Sequence, residues 1–89
     1  MHNRHMPTFP SLNQDKLMKL LRSLGYEMEK GGQSAGSHRR LLAEGRPPLT
    51  WAFHKGVEVP GRLVRKILVK NVGLSVEEAE VLVGMRRSK

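Results

Sequence analysis

The sequence predicts a small α+β domain with the element order α-β-β-β-α(-α), in which a three-stranded antiparallel sheet carries its helices on one face. Three observations lead to this prediction. Segments near both ends of the chain show the apolar spacing of amphipathic helices, three segments between them alternate apolar and polar residues, and turns rich in glycine or proline separate them. Helices set before and after a run of antiparallel strands are typical of the α+β class.

The composition allows one small hydrophobic core. Of the 89 residues, 23 are Leu, Val, Ile or Phe, and none is cysteine. The lack of cysteine excludes a disulfide framework, a thiolate nucleophile and a zinc finger. The sequence also shows neither a secretory signal nor an apolar run of the ~20 residues that a membrane span needs. We therefore expect a cytoplasmic protein.

The charge of the chain is strongly positive. Sixteen Lys and Arg residues against eight Asp and Glu give a formal net charge of +8 at pH 7. Such an excess indicates an anionic partner. Nucleic acid is the first candidate, and an anionic membrane surface and an acidic protein are the alternatives.

The domain boundaries follow from local composition. Residues 1–10 have no apolar run and contain two prolines, so we interpret them as a disordered leader or tag remnant. The folded domain is expected over residues 11–84. Residues 85–89 then form a basic C-terminal tail.

The first helix is predicted to begin at Ser11, because Gln14 three residues later completes a capping box. Gly25 is expected to end it, and Tyr26–Lys30 alternates like the first strand. The helix has one apolar stripe, formed by Leu17, Leu20, Leu21 and Leu24.

A loop with three glycines, Gly31–Gly36, follows the first strand, and we expect it to be mobile. Ser37–Ala43 is predicted as the second strand and Gly45–Pro48 as a turn. Alternation predicts a third strand, with its large apolar side chains at Leu49, Trp51 and Phe53.

A second amphipathic helix is predicted after Gly61 and extends to about Asn71. Gly73 breaks it. Ser75 and Glu78 form another capping box and predict a short last helix.

The candidate catalytic residue is His38. Together with Gly36 and Ser37 it follows the glycine-rich loop, and Arg39 and Arg40 stand beside it. An imidazole with a pKa of about 6.5 exchanges a proton at neutral pH, and guanidinium groups hold a phosphate. The alternative interpretation is a surface histidine in a basic strand.

Further basic residues are candidate phosphate contacts. His54 and Lys55 are interpreted either as a second phosphate contact or as a polar strand end. No acidic residue lies between Glu58 and Glu77, so the basic side of the second helix favours anion binding over internal salt bridges, although a solvated surface is the alternative. That side consists of Arg62, Arg65, Lys66 and Lys70.

Six segments together match one known family in the same order. They are Leu17–Gly25, Gly36–His38, Trp51–His54, Val59–Pro60, Arg62–Leu68 and Val72–Glu78. Through them the chain resembles the HicA/YcfA-like toxins of bacterial type II toxin-antitoxin systems, over about residues 11–83. Two features depart from the family pattern: Ala52 stands where proline is frequent, and the loop before His38 is longer and richer in glycine.

The resemblance implies a fold similar to the double-stranded RNA-binding domain and an mRNA interferase activity. The histidine of the Gly-Ser-His motif, His38, is the active residue that it implies. The partners that it implies are mRNA and a HicB-type antitoxin that covers His38 and the basic helix. The expected RNA-binding residues are Ser37, Arg39, Arg40, His54, Lys55, Arg62, Arg65, Lys66 and Lys70.

We expect RNA cleavage without a metal or any other cofactor. Because the chain has no cysteine and no evident carboxylate cluster, the 2′-OH of the RNA is the expected nucleophile, with His38 as general base or acid. Neither a membrane nor a small-molecule cofactor is expected as a partner. Two other functions stay open: a non-catalytic module that binds double-stranded RNA by shape and phosphate contacts, and a DNA-binding protein that places residues 62–70 in a groove.

Overall fold

A computed structural model describes residues 8–29 and 39–87. Strands β2, β3 and β4 form an antiparallel sheet in that order, and β1 and β5 form a separate antiparallel pair. The predicted α+β class, with a three-stranded sheet and three helices, is confirmed. The strands are β1 (Leu12–Asn13), β2 (Glu27–Met28), β3 (Arg39–Ala43), β4 (Arg46–Trp51) and β5 (Glu58–Val59). The helices are α1 (Gln14–Ser23), α2 (Gly61–Arg65), which continues as a π-helix over Lys66–Asn71, and α3 (Val76–Leu82).

Helix α1 begins three residues later than the capping box predicted, so the start at Ser11 is wrong. Leu12 and Asn13 pair with β5, which keeps their backbone extended and delays the helix. Asn13 is the residue that caps it, because its side chain accepts a hydrogen bond from the backbone N–H of Lys16 at 2.9 Å. The Ser11 hydroxyl instead donates to Glu58 at 2.7 Å.

The end of α1 agrees with the prediction. Gly25 has a φ of +101°, which glycine adopts without a steric penalty. The backbone N–H of Tyr26 donates to the carbonyl of Leu21, and that of Gly25 donates to Arg22, as in a Schellman motif. The apolar stripe is buried most deeply at Leu17 and Leu21, whereas the other two leucines are partly exposed.

One face of the three-stranded sheet is buried and the other is open. In β3, Leu41 is fully buried between the exposed Arg40 and Leu42. In β4, Leu49 and Trp51 are buried and Thr50 is exposed. Because side chains alternate along a strand, the buried residues share the face that the helices cover.

Strand β4 includes three residues, Arg46, Pro47 and Pro48, that were predicted to lie in a turn. The turn is shorter than predicted: Gly45, with a φ of +77°, closes it, and Ala43 already pairs with Arg46. Pro47 and Pro48 therefore lie within the strand and are exposed. Proline is tolerated there because β4 is an edge strand of the described sheet. The strand also ends earlier than predicted, before Phe53.

Tyr26, the residue before β2, links that strand to the edge strand β4. Its side chain is fully buried, and its hydroxyl donates to the carbonyl of Pro47 at 2.7 Å. Burial raises the pKa of Tyr26 above 10, and the nearby positive charge of Arg46 lowers it in part. The phenol therefore stays neutral in the folded protein to a higher pH than in the unfolded chain.

The segment ahead of α1 packs against the start of α2. Phe9 is 5% exposed and belongs to the core, although it lies within residues 1–10. At Gly61, the first residue of α2, an added Cβ would overlap the carbonyl oxygen of Phe9. Glycine at this position lets the two backbones approach closely.

Helix α3 follows the predicted break at Gly73, and its capping box between Ser75 and Glu78 is confirmed in both directions. Residue Glu80 is 7% exposed and accepts a hydrogen bond from Nε of Arg86 at 2.9 Å, and Nη2 of Arg86 lies 2.8 Å from the same carboxylate oxygen. This ion pair, in which Glu80 is buried and Arg86 is half exposed, joins the residues after α3 to the helix itself.

The first prediction concerns Gly61. Gly61→Ala should lower the free energy of unfolding by about 1–3 kcal/mol, because the added methyl group displaces the backbone of Phe9. Urea unfolding measures the loss, and faster hydrogen exchange at Gln14, whose N–H bonds to Val57, should report the displaced segment. Thr8→Ala, a change at an exposed residue of the same segment, is the control. An unchanged unfolding midpoint in Gly61→Ala would contradict the close approach.

The second prediction concerns pH. Above about pH 10 the unfolded chain loses the tyrosine proton while the folded chain retains it, so the free energy of unfolding should fall as the pH rises. Urea unfolding at neutral and alkaline pH measures this slope. In Tyr26→Phe the slope should be shallower, and equal slopes in the two proteins would show that Tyr26 does not cause it.

Candidate nucleic-acid interface

One end of the sheet is where the predicted catalytic segment joins the fold. Ser37, His38 and the loop Gly31–Gly36 lie outside the described residues. Arg39, the residue after His38, is exposed and pairs with Trp51 at the end of β4. Paired residues of antiparallel strands have Cα atoms roughly 4.5–5.5 Å apart. The chain therefore enters β3 directly beside the end of β4.

The two arginines after His38 lie on opposite faces of the sheet. Arg39 is on the helix-covered side and Arg40 on the open side, because they are consecutive in β3. Arg40 pairs with Glu29, with 3.7 Å between Nε and Oε1, and both side chains are exposed. Such exposed pairs contribute less than about 1 kcal/mol, so Arg40 remains available to an anion. The structure does not bring the two guanidinium groups to one point.

His54 and Lys55 lie in the turn that connects β4 to β5, and both are exposed. The carbonyl of His54 accepts a hydrogen bond from the backbone N–H of Val57 at 3.1 Å, which closes the turn. His54 comes three residues after Trp51. It therefore follows the same strand end that Arg39 faces.

The predicted basic side of the second helix is present and exposed. Three of its residues recur every four positions, and we call Arg62, Lys66 and Lys70 the basic stripe. Arg65 is half-buried beside them. Within the described ranges, the ion pairs are those of Arg40 and Arg86, so no carboxylate neutralises the stripe.

The π-helix changes how these residues line up. In an α-helix, residues four apart are offset by about 40°, and the offset shrinks in the wider π-helical turn. The backbone N–H of Val72 donates to the carbonyl of Ile67 at 2.8 Å, five residues back. The basic stripe therefore runs more nearly parallel to the helix axis than in an α-helix. Its spacing is visible in the sequence, whereas the π-helix was not predicted.

A cleft of ≈ 220 Å³ separates the edge of the sheet from this helix. Its lining comes from β4 and from the π-helix. Sequence reasoning did not identify it, because its walls come from segments that are distant in the chain. The cleft is lined by Pro48, Leu49, Thr50, Trp51, Ile67 and Asn71.

Three acidic residues lie at the other edge of the sheet. Glu27, Glu29 and Glu44 line a shallow depression there, next to Met28 and the exposed Leu42. The edge strand at this side is β2, whereas the cleft lies along β4. This acidic depression therefore lies at the edge of the sheet opposite to the cleft.

Two further observations concern residues 8–29 and 39–87. In these ranges no helix has both the length and the apolar composition to cross a membrane. The same residues contain no group of three or more His, Asp or Glu side chains placed to hold a metal ion.

Comparison with known proteins identifies the family. A family model described as HicA toxin of bacterial toxin-antitoxin matches residues 15–74, from the first turn of α1 to the segment that follows the π-helix. Searches among curated proteins and among solved structures found no match. The family match covers well over half of the chain, and a toxin of this class has an antitoxin as its partner. The chain therefore belongs to the HicA family of toxins from bacterial toxin-antitoxin systems.

Proposed function

We propose that this toxin is an mRNA interferase, a ribonuclease that cleaves RNA with His38 and is inhibited by a HicB-type antitoxin. The observation that carries the proposal is the basic stripe, which is exposed and has no carboxylate partner among the described residues. Membership of the HicA family supports it.

The RNA backbone would lie along the helical side of the molecule. Lys66 and Lys70 are exposed on the helix that forms one wall of the cleft beside β4, and the end of β4 faces Arg39. Lysine and arginine side chains on one surface bind successive phosphates without regard to sequence. His54 and Lys55, exposed just beyond the same strand end, add further contacts to the backbone.

The cleavage step uses the nucleophile that RNA itself carries. His38 takes the proton from a 2′-OH, and the 2′ oxygen attacks the adjacent phosphorus. The bond from phosphorus to the 5′ oxygen breaks, and the departing oxygen receives a proton. The products are a 2′,3′-cyclic phosphate and a 5′-hydroxyl. Arg39, next to His38 in the chain, would stabilise the negative charge that develops on the phosphate.

A HicB-type antitoxin would inhibit the toxin by covering the surface that binds RNA. A partner with acidic side chains matches the basic stripe, because opposite charges on two faces favour and orient association. The same partner would exclude RNA from His38. RNA and antitoxin therefore compete for one face in this proposal.

The second candidate function is that of a module that binds double-stranded RNA without cleaving it. The observation that favours it is the architecture, a three-stranded antiparallel sheet with helices on one face. Recognition of duplex RNA by shape needs phosphate and 2′-OH contacts but no proton transfer. The two functions therefore differ in whether His38 is needed.

The third prediction tests His38. His38→Ala should slow RNA cleavage by roughly 10²–10⁴-fold, because a positioned proton-transfer group contributes that much to the rate. Expression of His38→Ala should therefore no longer arrest growth. Cleavage of labelled RNA measures the rate, and thermal melting with antitoxin pull-down measures fold and partner binding, both of which should be retained.

His54→Ala is the matched control, since it removes a second histidine that only contacts phosphate in this proposal. It should weaken cleavage less than His38→Ala does. If His38→Ala cleaves RNA at near the parental rate, the catalytic assignment is wrong and the non-catalytic module becomes the better description.

The fourth prediction tests the basic stripe. Lys66→Ala with Lys70→Ala should weaken binding to all RNA sequences to a similar extent. Each lost phosphate contact should also flatten the plot of log K against log salt concentration by somewhat less than about one unit. Fluorescence anisotropy at several salt concentrations measures both effects. Lys19→Ala, on the exposed side of α1, is the control, and an unchanged slope in the double variant would move the binding surface elsewhere.

A further inference from the structure

Two aromatic residues are in contact at the end of β4. The rings of Trp51 and Phe53 have their centroids 5.1 Å apart and their planes at 75°, which is an edge-to-face arrangement. Trp51 is 4% exposed, so it is the buried member of the pair. The contact holds the Phe53 ring on the same side of the chain as Trp51, which is the side that the helices cover.

Phe53 differs from the other aromatic residues in its exposure. The chain has four aromatic residues, and Phe53 is half-buried, whereas the other three are at most 5% exposed. The contact with Trp51 covers at most one face of the Phe53 ring, because the two planes are nearly perpendicular. Part of the surface of Phe53 therefore remains in contact with solvent.

Basic side chains lie next to this aromatic pair. His54 and Lys55 follow Phe53 directly in the chain, and both are exposed. Arg39 is also exposed and, as the cross-strand partner of Trp51, lies on the same side of the sheet as the pair. Within residues 8–29 and 39–87, neither Arg39 nor Lys55 forms an ion pair, so both charges are available to phosphate groups.

The aromatic pair is also close to the helix that carries the basic stripe. Trp51 lines the cleft beside β4 together with Ile67, the residue after Lys66. An RNA strand that is bound along the basic stripe and continues to Arg39 therefore passes the end of β4. Proteins that bind single-stranded nucleic acid combine a positively charged surface for the backbone with aromatic rings on which bases stack.

We propose that one unpaired RNA base stacks on Phe53, next to the phosphate that the toxin cleaves. The inference rests on the proposed function and deepens it, because it names RNA that is single-stranded at the site of cleavage as the substrate class. A base within a duplex is stacked on both sides and has no free face for the ring, whereas an unpaired base stacks on aromatic side chains. Arg39 follows His38 in the chain and pairs with Trp51, so the stacked base belongs to a nucleotide close to the cut.

Stacking on Phe53 places the nucleotide without selecting its sequence. Every base has a π face, so a phenyl ring accepts all four bases with only modest differences in affinity. The contribution of Phe53 to RNA binding should therefore depend on the presence of an unpaired base and not on which base it is.

The fifth prediction tests Phe53 with probes that cannot be cut. They are a single-stranded 2′-O-methyl RNA, an abasic oligomer of the same length, which has the phosphates without the bases, and a 2′-O-methyl duplex. Phe53→Leu should weaken binding of the single strand by about 5–150-fold, because one stacked base contributes that much. Its affinities for the abasic oligomer and the duplex should stay unchanged. Fluorescence anisotropy measures all three affinities.

Phe53→Tyr is the matched control, because tyrosine keeps an aromatic ring and should retain the affinity for the single strand. Circular dichroism checks that each variant is folded. A second measurement needs only the parental protein. Trp51 is the single tryptophan of the chain and contacts Phe53, so its fluorescence should change with the single strand but not with the abasic oligomer.

The outcomes separate this inference from the proposed function. If folded Phe53→Leu binds the single strand as tightly as the parental protein, or if it loses affinity for all three probes alike, no base stacks on Phe53 while RNA binding itself stands. Should Phe53→Leu fail to fold, unchanged Trp51 fluorescence when the parental protein binds the single strand would overturn the inference. If the parental protein binds none of the three probes, the proposed function fails as well.

Discussion

The fold depends on covering one face of a sheet of only three strands. Leu41 on the central strand and Leu49 on its neighbour are removed from water by helices packed on that face. No disulfide is available to stabilise the chain, so burial of apolar surface has to supply the main favourable term. Each helix must therefore turn its apolar side inward, which leaves the basic stripe outside.

This constraint explains why the elements were predictable from the sequence while several of their boundaries were not. Apolar periodicity is a local signal, and it identified each main helix and strand. The start of α1 depends on the pairing of Leu12 with Val59, a partner far along the chain. The length of β4 likewise depends on a register in which Ala43 opposes Arg46. Proline and serine signals at these positions describe local preference, and tertiary pairing overrides it.

The candidate site likewise has features that the sequence predicted and features that it did not. The basic stripe was predictable, because a helix face without carboxylates can be read from one segment. The cleft was not, because it forms only when the helix packs beside the edge strand, and these two elements are distant in the chain. The π-helix was also not predicted, since helical propensity does not distinguish it from an α-helix. The sequence feature that accompanies the π-helix is a spacing of four between Val64, Leu68 and Val72, all of which are buried.

The two prolines in β4 bear on how other molecules can hold this protein. An edge strand ordinarily invites another strand to extend the sheet, because its outer N–H and C=O groups are unpaired. Pro47 and Pro48 have no N–H, and because consecutive residues of a strand direct their N–H groups to opposite sides, an incoming strand would find one donor missing along this edge. A partner at this edge is therefore held through side chains rather than through a continued sheet, and copies of the toxin are less prone to stack edge to edge. The border of the sheet stays open to a ligand smaller than a strand.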